Sequence, residues 1–149
     1  MDKIMSLLKE FDIASMLPEI GSFMGQLKGW LIFALLVGPV LMAAMGAVYF
    51  FFPPKEANHH LGYRSYWSMG SVQVWQYAQR LSGMIFMIGG GGFAVVMLII
   101  CLFFGLMQPS TMVITSLVCV IIEALAAIAA VVVIEVMLRK YYDIHGNKR

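Results

Sequence analysis

The chain has 149 residues, of which 61% are hydrophobic and 12% charged, where ordinary soluble domains carry about a quarter charged residues; a water-soluble domain is therefore excluded as the leading reading. A mean hydropathy of +0.86 points to a bilayer, and a net charge of +2 from ten scattered Lys and Arg is too weak to form a direct nucleic-acid interface. Three apolar blocks, 30–52, 81–107 and 112–138, each exceed the roughly 20 residues that cross a hydrocarbon core. The expected fold is an all-α membrane protein, with three transmembrane helices preceded by an N-terminal amphipathic interfacial helix.

Residues 1–26 mix Asp2, Glu10, Asp12 and Glu19 with apolar side chains and lack a basic start followed by an apolar core, so they do not read as a signal peptide. The first span is expected to stay in the mature protein. Ile4, Leu7, Leu8 and Phe11 recur at helical spacing opposite Lys3, Lys9, Glu10 and Asp12, which predicts a helix lying in the interface as far as Pro18. The chain divides accordingly into a leader, 1–29, and a three-span membrane domain, 30–149.

After the first span, Pro53 and Pro54 stop the helix, Asn58 and Gly62 suit turns, and Ser71 can cap a helix that begins at Val72. The loop between the first two spans, 53–79, is longer than a connector needs and rich in Tyr, Trp, Arg and Ser rather than linker filler, so it should be ordered. Trp67, Trp75 and Tyr77 suit the headgroup level, and Arg64 can grip a carboxylate or a lipid phosphate with paired hydrogen bonds. Gly62, Tyr63 and Arg64 can equally pack beneath the bundle as a folding element. His59, His60 and His145 share one side of the membrane, yet adjacent histidines seldom face one metal, and no metal site is expected.

The four-residue turn 108–111 forces the second and third spans into an antiparallel hairpin. Gly83, Gly90, Ala94, Cys101 and Gly105 form a small-residue stripe on the second span, and Ser116, Cys119, Glu123, Ala126, Ala127 and Ala130 form one on the third. Small residues let backbones approach in a membrane, so these two stripes are expected to dock on each other. Gly89, Gly90, Gly91 and Gly92 mark a flexible or closely packed spot and lack the pattern of a nucleotide loop. Cys101 and Cys119 read as small buried residues, with no disulfide framework.

Glu123 is the most expensive residue in the chain, because a carboxylate near the bilayer centre costs at least about 2.5 kcal/mol. It falls level with 37–39 of the first span, where Pro39 frees the Leu35 carbonyl from its usual helical donor. A protonated Glu123 donating to that carbonyl would be interhelical glue; an ionisable Glu123 would be a proton-linked or ligand-contacting site. Glu135 lies at about the depth of Arg80, which predicts a partly buried, architectural ion pair.

The loop spacing Asn58-x3-Gly62-Tyr63-Arg64-Ser65-x2-Ser68-Met69-x5-Trp75-x2-Ala78-x4-Gly83 resembles the signature of the SdpI family of bacterial membrane proteins. The resemblance covers about 52–139; Ser65 stands where the family usually has Thr, and the acidic leader is outside the family pattern. It implies immunity against, or sensing of, a membrane-active peptide toxin, with the toxin and a cytoplasmic repressor as partners. Asn58, Gly62, Tyr63, Arg64, Ser65, Ser68, Met69 and Trp75 then become the partner- or ligand-binding set, with Glu123, Glu135 and Arg80 as intramembrane polar residues. The alternative is an accessory subunit of a transporter or larger membrane complex. An enzyme is not expected, since no Ser, His and Asp set, metal motif or phosphate loop stands at usable spacing; no catalytic residue and no cofactor is assigned. Lipid surrounds the spans, and three thin helices bury little between themselves, so a homo- or hetero-oligomer is expected.

Lys55, Arg64 and Arg80 in the middle loop and Arg139, Lys140, Lys148 and Arg149 in the tail contrast with a turn that has no basic residue. By the positive-inside rule the loop and tail face the cytoplasm of a bacterial inner membrane, N-out and C-in, with Lys3, Lys9 and Lys28 pulling the other way.

Overall fold

The structure is a computed structural model that describes residues 13–57, 62–143 and 147–148, with backbone alone for 13–21. The described chain is helical: α1 spans Ile13–Phe51, α2 Val72–Leu102 and α3 Pro109–Tyr141, with a tight 3-10 turn at Phe103–Leu106 prolonging α2. Within them, Ser22–Phe51, Val72–Leu106 and Pro109–Tyr141 are long and apolar enough to cross a membrane. The amphipathic residues Ile4, Leu7, Leu8 and Phe11 lie outside the described residues, so the interfacial helix expected there does too. α1 runs unbroken through Pro18 and across the boundary expected between Gly29 and Trp30.

The helix ends follow local chemistry. α1 stops just before Pro53 and Pro54, which lack the amide that would continue its hydrogen bonds. Ser71, in extended conformation, caps α2 as its sequence predicts, its hydroxyl accepting from the Val74 amide at 3.3 Å. Pro109 opens α3 from an extended Gln108, and Arg139 and Lys140 complement the dipole of its last turn. α2 starts nine residues earlier than the apolar block it contains, because polar Gln73, Gln76, Gln79 and Arg80 mask its first turns to hydropathy while leaving them helical.

The packing corrects the expected docking of the α2 and α3 stripes. The α2 stripe lies against α1, and this pair makes much the largest interface in the bundle. A Cβ on Gly83 would stand 2.5 Å from the Phe50 nitrogen, one on Gly90 would stand 2.5 Å from the Ala43 nitrogen and 2.8 Å from the Pro39 oxygen, and one on Gly46 would collide with the Met87 backbone. Pro39, Ala43, Gly46 and Phe50, at steps of four, three and four, offer the smooth face that glycines need. The α3 stripe contains no glycine, so its backbone cannot come as close.

α3 is instead held near its two ends. At the end bearing the 108–111 turn, Leu35, Met97, Phe104, Met112 and Cys119 form one buried cluster. At the end bearing the long loop, Val74, Ala78, Leu81, Ile134 and Leu138 form another, with Tyr63 and Trp67 packed onto it. Ile114, Leu117, Ile121, Leu125, Ile128 and Val132 of α3 remain exposed for lipid or a partner.

Candidate functional site

At the loop end, a network of hydrogen bonds builds the loop into a fixed shape. Gly62 has φ of 111°, where a side chain is disfavoured, and a Cβ there would stand 2.7 Å from the Gln79 Oε1. Gln79 is fully buried on α2; its Oε1 accepts from the Tyr63 amide at 2.7 Å and its Nε2 donates to the Tyr63 carbonyl at 2.9 Å. One side-chain amide thus satisfies both backbone groups of Tyr63, as a neighbouring strand would.

The Tyr63 hydroxyl donates to Glu135 Oε1 at 3.0 Å, joining loop to α3, and Glu135 Oε2 lies 4.0 Å from Arg139 Nε. The Arg139 guanidinium in turn sits 5.7 Å from the Trp67 ring centre. Burial, then the hydrogen bond and negative charge of Glu135, hold the Tyr63 phenol above its ordinary range. The pair expected between Glu135 and Arg80 is replaced by these contacts. Arg80 is exposed and, with Lys55, Gln76, Phe51, Phe52 and Pro53, lines a separate open depression of about 550 Å³. It shares a face with Gln76, one turn earlier, rather than with Ala78 and Leu81, which meet α3.

Ser65 and Ser68 close the next turn reciprocally. The Ser65 amide donates to Ser68 Oγ at 2.7 Å, and the Ser68 amide donates to Ser65 Oγ at 3.1 Å. Trp75 is fully buried, and its Nε1 donates to the Pro54 carbonyl at 2.9 Å, tying the start of the loop to α2. Gly62, Tyr63, Ser65, Ser68 and Trp75 therefore serve the loop's own architecture, while Arg64 and Met69 lie on its exposed side. Tyr66, which the spacing did not single out, is the most exposed aromatic residue of the loop at 82%. Asn58 and all three histidines lie outside the described residues.

In mid-membrane, between the two buried clusters, the helices part around a cavity of about 490 Å³. Gly38, Pro39 and Met42 of α1, Phe86 and Phe93 of α2, and Glu123 of α3 are among its walls. Glu123 is level with Gly38, as the depth count predicts: its Oε2 lies 3.3 Å from where a Gly38 Cβ would stand. The buried Oε1 of Glu123 has no hydrogen-bond partner among the described residues. Ala124, Ala126 and Ala127 line the gap instead of closing it. Cys101 and Cys119 are free thiols near the turn end.

The SdpI/YfhL protein family matches residues 55–136, more than half of the chain. No curated protein and no solved structure matches it. The matched residues hold the described loop, all of α2 and most of α3, whereas α1, which supplies one wall of the cavity, precedes them. With that match and three helices able to cross a bilayer, the chain is a multi-pass membrane protein and belongs to the SdpI/YfhL family.

Proposed function

We propose that this protein protects its cell from a membrane-active peptide, or senses that peptide, by presenting the 62–71 platform to a partner on the cytoplasmic side of a bacterial inner membrane. It acts as a receptor and not as an enzyme. The observation that carries this reading is the division of labour within the loop. Its buried polar groups fix one another, and Arg64, Tyr66 and Met69 are exposed on the resulting frame. A surface ordered before binding loses little entropy on docking, and Tyr and Arg are the side chains that most often anchor protein contacts. Of the described members of the expected partner-binding set, Arg64 and Met69 are the exposed ones, and Tyr66 joins them.

A second reading, an accessory subunit of a larger membrane complex, draws support from the exposed apolar face of α3. The two separate on one experiment. Cells producing the chain should survive a membrane-active peptide, encoded beside its gene, that kills cells lacking it. Arg64→Ala and Tyr66→Ala should each lose that protection at unchanged accumulation in the membrane. Full protection in both variants would reduce the loop to a folding element, and absence of protection by the unaltered chain would favour the accessory subunit.

A further inference from the structure

The mid-membrane cavity is not used by the loop platform, and its chemistry is unlike that of an ordinary packing gap. Its volume of about 490 Å³ falls within the roughly 300–1,000 Å³ of small-molecule sites. Its walls are aliphatic and aromatic except at one point, the Glu123 carboxyl, and no Lys, Arg or His is among the described residues that form them. Oε1 of that carboxyl is buried without a hydrogen-bond partner among the described residues. A buried polar atom left unpaired is a standing penalty, and natural structures satisfy nearly all such groups.

The cavity also has a defined way in. The cluster of Val74, Ala78, Leu81, Ile134 and Leu138 packs on its loop side, and the cluster of Leu35, Met97, Phe104, Met112 and Cys119 packs on its turn side. What remains open is the side, where a spanning helix bundle meets acyl chains. An acyl chain entering there fills the volume but offers the Glu123 carboxyl no donor. A molecule with an apolar body and one cationic nitrogen fills the volume and also gives the carboxylate a charged donor, in surroundings where such a pair is weakly screened.

We propose that this cavity is a binding site for a hydrophobic molecule carrying a single cationic amine, which enters sideways from the bilayer and pairs with Glu123. Phe86 and Phe93 would flank its apolar body, and the small Gly38 and Ala127 leave the space it occupies. The site stands on the cavity and its carboxyl, independently of any protective role of the loop.

The test uses the full chain in lipid nanodiscs and two photoreactive probes of equal length, a long-chain primary amine and the matching alcohol. The amine should label wall residues of α1 and α3 saturably, at least tenfold more strongly than the alcohol. Glu123→Gln should lower amine labelling to the level of the alcohol and leave alcohol labelling unchanged. Ala127→Phe, which keeps the carboxyl and fills the space, should abolish saturable labelling by both. Thermal melting of each variant reports whether it folds; if Glu123→Gln does not, the comparison of the two probes on the unaltered chain and on Ala127→Phe decides. Equal labelling by amine and alcohol would overturn the proposal and make the cavity an acyl-chain site. Amine labelling indifferent to a folded Glu123→Gln, or mapping away from the cavity, would overturn it as well.

Discussion

Tyr63 connects three parts of the molecule, its peptide unit held by Gln79 of α2 and its hydroxyl by Glu135 of α3. Tyr63→Phe removes one hydrogen bond to a charged acceptor and should lower stability by about 1–2 kcal/mol, whereas Gln79→Leu strands the Tyr63 amide and leaves the carbonyl only the Ser68 hydroxyl at 3.2 Å, and should cost about 1–3 kcal/mol. Thermal unfolding in detergent measures both. The same tyrosine predicts a pH dependence. Its phenol is held above its ordinary value, first by burial and then by Glu135, so the folded state retains the proton more tightly than the unfolded one. The resulting stability is fully present below the unfolded value of about 10 and is lost as pH rises beyond it. The difference in melting temperature between the natural chain and Tyr63→Phe should be constant from pH 7 to about 9.5 and shrink above that. A difference unchanged at high pH would show that the hydroxyl does not titrate against the fold. At this scale Gly62 and Ser71 are readable in the sequence, because a turn glycine and an N-cap act on their immediate neighbours. Gln79 is not, because nothing local says that its amide will reach back 16 residues to the Tyr63 backbone.

Helix pairing is decided by which glycines meet another backbone. Gly83 and Gly90 lie directly on α1, whereas a methyl group added at Gly91 or Gly92 would meet no atom within 4 Å beyond its own stretch of helix backbone. Gly83→Ala and Gly90→Ala should therefore destabilise by about 1–3 kcal/mol, as overpacking does. Gly91→Ala and Gly92→Ala should be neutral or stabilise by up to about 1 kcal/mol, since Ala restricts the unfolded chain and favours helix. Unfolding midpoints of the four variants check the contrast, and a uniform response would mean that helix propensity alone governs the run. The sequence marks the α2 stripe but not its partner. A stripe of small residues specifies close approach, and the choice between α1 and α3 rests on the complementary spacing of Pro39, Ala43, Gly46 and Phe50, none of which is unusual by itself.

For the whole molecule, the contact between Tyr63 and Glu135 places loop and tail at one end of the bundle, opposite the 108–111 turn. Which end faces the cytoplasm is a matter of Lys and Arg asymmetry. Gly70→Cys, introduced with Cys101 and Cys119 replaced by Ala, should resist a membrane-impermeant thiol reagent in intact cells and react after lysis. A cysteine at Ser110 should react in intact cells. Reversal of the two would turn the protein over and move the platform to the outside. The exposed apolar side of α3 should meanwhile keep the chain dependent on detergent or lipid, because no other described element covers it.

The sequence by itself determined the membrane location, the number of spans, the antiparallel hairpin, the cap of α2 and the family, because each is written in composition, local spacing or a short motif. It also determined the depth of Glu123, because residues along a helix rise by a fixed step. Tertiary structure alone decided that α2 packs on α1, that Glu135 pairs with Tyr63 and Arg139 instead of Arg80, and that small residues of α3 border a cavity instead of a seam. These outcomes depend on rotation of whole helices about their axes. In a bilayer, where lipid is as apolar as the side chains, no hydrophobic force fixes that rotation, and it is settled by the sum of close contacts along all three helices at once.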